Sequence, residues 1–139
     1  MNFNNFTIKS QEAVQTAVNL VQNRGQQAIE PEHLLAGVLK VGENVTNFIF
    51  QKLGINAQQV TTVLDKQIAS LPKVSGGEPY LSRESNEVLQ KSIDYSKELG
   101  DEYVSLEAIL LALLNVKSTA SSILKDAGMT DKELRVAIK

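Results

Sequence analysis

The chain has 139 residues, a mass of 15.2 kDa and a formal net charge of −2, a length that suits one domain burying roughly 65–70% of the surface its unfolded form exposes. Hydrophobic residues at 42% and charged residues at 22% exclude a disordered polymer and a collagen-like or coiled-coil rod, and the absence of cysteine removes disulfides, thiolate zinc sites and cysteine nucleophiles together. The basic residues are scattered from Lys9 to Lys139, the longest apolar run is Ala108–Leu114, and Met1–Phe6 lacks the features of a signal peptide; these point away from nucleic acid, membrane and secretion, to a cytoplasmic protein.

In chain order, the first helix is predicted behind an N-cap hydroxyl at Thr7, with Ala13, Val14, Ala17, Val18 and Val21 at helical spacing and a stop near Gly25. A second opens at Pro31 with Glu32 in its first turn, where the helix dipole favours a carboxylate. A third stops at Gly54. A fourth follows Asn56-Ala57-Gln58-Gln59, a capping-box pattern, and carries Val60, Val63, Leu64, Ile68 and Leu71. Leu71–Pro79 holds two prolines and two glycines and reads as a linker. The signals then recur: Ser82 as N-cap, Gly100 as stop, Ser105 ahead of Glu107, Gly128 as stop, and Thr130-Asp131-Lys132-Glu133 as a second capping-box pattern.

That recurrence is a repeat. Residues 7–39 fall on 82–114 at a constant offset of 75, with Ser10/Ser85, Glu12/Glu87, Gln15/Gln90, Gly25/Gly100, Glu32/Glu107, Leu35/Leu110 and Leu39/Leu114 identical. After one deletion the register resumes at 74, as in Ile49/Ile123 and Gly54/Gly128. The expected fold is all-α: two pseudo-symmetric four-helix repeats, about 7–69 and 82–138 with a linker over 70–81, packed as one eight-helix domain. A repeat of about 60 residues buries its core only marginally alone, so the two are expected to share one.

Several motifs invite chemistry and fail. Gly37-Val38-Leu39-Lys40-Val41-Gly42 has the glycine spacing of a phosphate loop, but Glu43-Asn44 stand where lysine and a hydroxyl are needed. Asn44-Val45-Thr46 is a glycosylation sequon without a secretory signal. His33 is the one histidine, and the second copy has Ala108 in its place, so a packing or surface-polar role is expected instead of a metal or a triad. The acidic pairs Asp101-Glu102 and Asp131/Glu133 read as solvated faces. No catalytic constellation results, and the chain is expected to be no enzyme.

The doubled unit, the stretch Ile29-Glu30-Pro31-Glu32-His33-Leu34-Leu35 and the linker Leu71-Pro72-Lys73-Val74-Ser75-Gly76-Gly77 resemble the amino-terminal Clp repeat domain, from Phe6 to Ile138. The linker is closer to that of the ring-forming, ATP-dependent disaggregases of this family than to the branch that feeds a peptidase, whose domain docks adaptors; that docking role is the alternative. The resemblance implies the substrate-engaging front end of a longer bacterial chain, monomeric alone but six to a ring in its parent. ATP and magnesium would belong to ATPase modules elsewhere, with no cofactor or metal here. The chain stops at Lys139 inside an amphipathic run with no C-cap, in keeping with that expectation. The implied ligand is an apolar stretch of unfolded or aggregated polypeptide, held in an exposed apolar groove with a polar rim.

On the family pattern, Thr7, Asp101 and Glu107 are the polar candidates for substrate contact. Thr7 and Glu107 also have local explanations, as an N-cap matched by Ser82 and a dipole-favoured carboxylate matched by Glu32. Asp101 stands just past a helix end, where negative charge costs roughly 0.3–1 kcal/mol, and the first copy has Gln26 there. Val88, Leu89 and Ile93 share a helical face that reads as core or groove. Tyr95, opposite Leu20 and off that stripe, is the candidate aromatic at the contact surface.

Overall fold

A computed structural model describes residues 2–139 and contains, among them, eight helices: α1 (Ile8–Asn23), α2 (Pro31–Val41), α3 (Glu43–Leu53), α4 (Ala57–Ala69), α5 (Arg83–Glu98), α6 (Leu106–Asn115), α7 (Thr119–Asp126) and α8 (Asp131–Ile138). The all-α expectation holds, with four helices in each copy. The starts follow the caps read from sequence: the side chains of Thr7, Asn56, Ser82, Ser105 and Thr130 each accept a hydrogen bond from the main-chain N–H three residues on.

The reciprocal half of a capping box is absent from the two places expected to have it. The Thr130 hydroxyl instead donates to the Glu133 carboxylate at 2.9 Å. A full box forms at Ser118 and Ser121, where each side chain takes the other's main-chain N–H. At the start of α2 the returning group is an imidazole: the Glu30 N–H donates to His33 Nδ1 at 2.9 Å.

Two very short extended pieces lie between the helices. β1 (Ala28–Ile29) pairs in parallel with β2 (Tyr80–Leu81), and Phe6 bridges Val104 in the same sense. Tyr80 and Leu81, expected to be linker, are therefore paired. At an offset of 75 these are one contact made twice, because Phe6 corresponds to Leu81 and Ile29 to Val104. The residue ahead of each copy's first helix is bonded to the residue ahead of the other copy's second helix. Thr7 N–H donates to Val104 O and Ser82 N–H to Ile29 O. Gln11 and Asn86 back these junctions through Phe6 O and Leu81 O.

The helices exchange partners in the same way. α3 packs on α8 and α4 on α7, while α2 and α6 lie against each other at the centre. α6 is buried all round, with Ala108–Leu114 at 0–1% exposure, as its unbroken apolar run requires. The core is continuous through both copies.

The glycines of the rejected phosphate-loop pattern are packing devices. A Cβ at Gly37 would collide with the main-chain carbonyl of Ala13 on α1, and one at Gly42 with the Leu106 side chain. Helix propensity alone makes Gly37→Ala stabilising by about 1 kcal/mol, but a clash with backbone has no soft partner. The variant is expected to lose about 1–3 kcal/mol net, read from its urea midpoint. A raised midpoint would contradict so close an approach of α1 and α2.

Candidate functional site

The structure sorts the expected contact residues unequally. Thr7 is half-buried, caps α1 through the Ser10 N–H at 3.1 Å, and is tied by its own N–H to Val104. Asp101 and Tyr103 are exposed in the loop leading to Val104, and Glu107 is half-buried in the first turn of α6. The junction at Phe6 and Val104 thus gathers Thr7 and the 101–107 stretch on one side of the domain.

The apolar candidates on α5 are corrected. Val88 and Leu89 are 0% exposed and belong to the core, so Leu89 offers nothing to a client. Ile93 is half-buried against the core. Tyr95 is 7% exposed, its ring under the Arg135 guanidinium at 5.3 Å. The buried stripe of α5 runs Ser85, Val88, Leu89, Ser92, Tyr95, Ser96. Tyr95 lies on this stripe, which the serines hide from a reading by hydrophobicity. Their hydroxyls are satisfied on main-chain carbonyls of Ile29, Leu89 and Asp101.

An exposed apolar surface with hollows in it lies between α3 and α8. Two adjoining hollows of about 370 and 410 Å³ share Ala137: one is lined by Val45, Phe48, Glu107 and Ile138, the other by Lys52, Leu53, Lys132 and Val136. Phe48 is 57% exposed and Val136 66%. Lys52 lies 5.2 Å over the Phe48 ring, so its stem covers one face of the ring while its charge stays wet. Of the residues expected from sequence, Glu107 is the one that lines this cleft. Phe48 and Val136 were missed, because an isolated apolar residue on a polar helix face carries no signal by periodicity.

The pseudo-symmetry provides an internal control. The matching hollow lies between α4 and α7, where Ser122 takes the place of Phe48, Thr119 of Val45 and Ser118 of Asn44, while Glu32 takes that of Glu107. Thr62 takes the place of Val136. Gln67 and Leu71, in and beyond the last turn of α4, also line that hollow. Glu32 is 5% exposed, and burial, reinforced by the charges of Glu30 and Glu84, raises its pKa. The α4–α7 hollow therefore carries hydroxyls and a buried carboxylate where the α3–α8 cleft carries exposed apolar side chains.

Among the described residues no group of three or more His, Asp and Glu could hold a metal ion. Among the described residues no single helix is long and apolar enough to cross a membrane; the most apolar, α6, is buried inside the fold.

Comparisons with known proteins agree with this architecture. The chain is 83% identical over 138 residues to the chaperone protein ClpB of Bacteroides thetaiotaomicron, covering 99% of this chain and 16% of that protein. It is 55% identical over 139 residues to ClpB of Porphyromonas gingivalis, covering all of this chain and 16% of that one. The chain thus spans about a sixth of the length of these relatives. The crystal structure of the Hsp104 N-terminal domain from Candida albicans superposes with a TM-score of 0.84 at 21% identity, covering 96% of this chain and 88% of that one. The Clp repeat (R) N-terminal domain matches residues 5–127, and the chain belongs to that family.

Proposed function

We propose that this domain is the client-engaging front end of a ClpB-like, ATP-driven cytoplasmic disaggregase, and that the α3–α8 cleft takes apolar stretches of unfolded or aggregated polypeptide. The observation that carries the reading is the exposure of Phe48 and Val136 where the matching helices have Ser122 and Thr62. Stability does not call for them, since the same fold in the same molecule places polar residues there. An apolar floor between charged rims, with Lys52, Lys132, Glu133 and Glu107 around it, takes an apolar segment while keeping the free domain soluble.

A contact this small is transient, with micromolar to millimolar dissociation corresponding to about 8 to 4 kcal/mol. Weakness suits the task. Six such domains on a ring raise avidity, and each still releases quickly for threading. ATP and magnesium chemistry belongs, on this reading, to modules outside the present chain.

Reduced, carboxymethylated α-lactalbumin, a permanently unfolded chain, titrated into the isotope-labelled domain is expected to shift the amides around Phe48, Glu107 and Val136. Phe48→Ser is expected to weaken that binding three- to tenfold, with melting little changed because the ring is mostly exposed. No shift at millimolar polypeptide, or undiminished binding by the variant, would overturn the assignment. The titration is repeated on a chain carrying the residues that follow Lys139 in its longer relatives; binding lost there would mean that the protein covers the cleft itself.

A further inference from the structure

Another hollow, of about 460 Å³, is bounded by α1, α2 and α4 in the first copy, within the range of small-ligand pockets. Leu20, Leu39 and Leu64 give it an apolar floor; Asn19, Asn23 and Thr61 stand at its rim. In the second copy the matching place is filled from within. Tyr95 replaces Leu20 and Arg135 replaces Thr61. The guanidinium lies over the tyrosine ring and is bonded to Glu98 and Asp131, and Asp131 accepts from Asn115 at 2.8 Å.

The first copy lacks each part of that plug. An isobutyl group stands for the ring and a short hydroxyl for the guanidinium. Neutral Asn23 and Ala57 replace the carboxylates of Glu98 and Asp131. The space freed is that of a ring and the group stacked on it. The anions that would hold a guanidinium are gone, and the remaining charges at the hollow, Lys40 and Asp65, are of opposite sign. The rim is left with amides. Asn19 accepts from Gln15 through Oδ1 at 3.0 Å, which turns its NH₂ free to donate, and the Asn23 amide bonds to no described residue.

We propose that the α1–α2–α4 hollow is a binding site for an aromatic side chain of a polypeptide, its ring resting on Leu20, Leu39 and Leu64 where Tyr95 sits in the second copy. The main-chain amides beside that ring bond to Asn19 and Asn23. An arginine side chain is disfavoured because Lys40 offsets the one carboxylate at the hollow, Asp65, and a leucine because it leaves part of the ring-sized space empty. The site is independent of the α3–α8 cleft.

The test titrates N-acetyl-phenylalaninamide, N-acetyl-leucinamide and N-acetyl-argininamide into the labelled domain. Shifts centred on Leu20, Leu39 and Thr61 are expected, with the phenylalanine probe at least fivefold tighter than the other two. Leu20→Tyr installs the second copy's residue in a place where this fold already accommodates it, and is expected to reduce binding at least tenfold. Asn23→Ala, at an exposed position that leaves folding untouched, is expected to weaken the probe about threefold. Absence of shifts at tens of millimolar, undiminished binding by both variants, or tighter binding of the arginine probe would each overturn the site. Shifts confined to Phe48 and Val136 would also overturn it while supporting the other cleft.

Discussion

Truncating Leu110 to alanine is expected to lower the unfolding free energy by about 2–5 kcal/mol and the melting temperature by roughly 6–20 °C, and Leu35→Ala is expected to do the same. The two leucines are one position of the ancestral repeat, 0 and 1% exposed, on the helices that meet at the molecular centre. Neither site can collapse easily. α2 is held by α1 through the close approach at Gly37 and by α3, α4, α5, α6 and α7 around it, so most of the cavity left by the deleted carbons stays empty. Because each copy's third and fourth helices pack on the other copy's fourth and third, neither repeat has a private core. Both variants are therefore expected to melt in one transition, followed by circular dichroism and by hydrogen exchange of amides in both halves. Near-native melting would remove the leucines from the interior, and two separated transitions would divide the shared core.

The helices were legible because their punctuation is local. Thr7, Ser82, Gly54 and Gly128 act within a turn of themselves, and the repeat doubled each signal. The cross-pairing of Phe6 with Val104 and of Ile29 with Leu81 was not legible, since a two-residue strand has no period and its partner lies 50 to 100 residues away. Of the candidates read from sequence, Glu107 lines the proposed cleft, while Leu89 and Tyr95 on α5 are buried. There, hydrophobicity ranks serine as surface, and the packing uses Ser85, Ser92 and Ser96 as small buried residues that let Tyr95 turn inward. Phe48 and Val136 stand out by their exposure at positions where the other copy carries Ser122 and Thr62.

His33 is another place where the copies part, and it is expected to give the first copy an acid sensitivity that the second lacks. Gln26 is turned inward, 6% exposed, and its NH₂ donates to Ile68 O at 2.7 Å. His33, 0% exposed, takes the Glu30 N–H on Nδ1, which fixes the proton on Nε2, and Nε2–H donates to Gln26 Oε1 at 2.8 Å. Asp101, in Gln26's place, faces solvent instead, and buried Ala108 suffices opposite.

Burial, with a smaller push from the Arg24 charge, lowers the His33 pKa from 6.5 to about 4. Above pH 6.5 the ring is neutral folded or unfolded and contributes no pH dependence. Below it the unfolded chain takes a proton that the folded one refuses, so stability falls as pH drops from 6.5 towards 4, by about 3 kcal/mol. Glu32, whose pKa is raised, works in the opposite sense in the lower part of that window, so the histidine's share must be read by difference. His33→Ala is expected to be about 2–4 kcal/mol less stable than wild type at pH 7.5, from a cavity and the lost partners of Glu30 N–H and Gln26 Oε1. By pH 4 that gap should have narrowed by about 3 kcal/mol in urea titrations. A gap constant across the range would mean that the imidazole takes up its proton in the folded state, and the buried bridge from α2 to α4 would have to be abandoned.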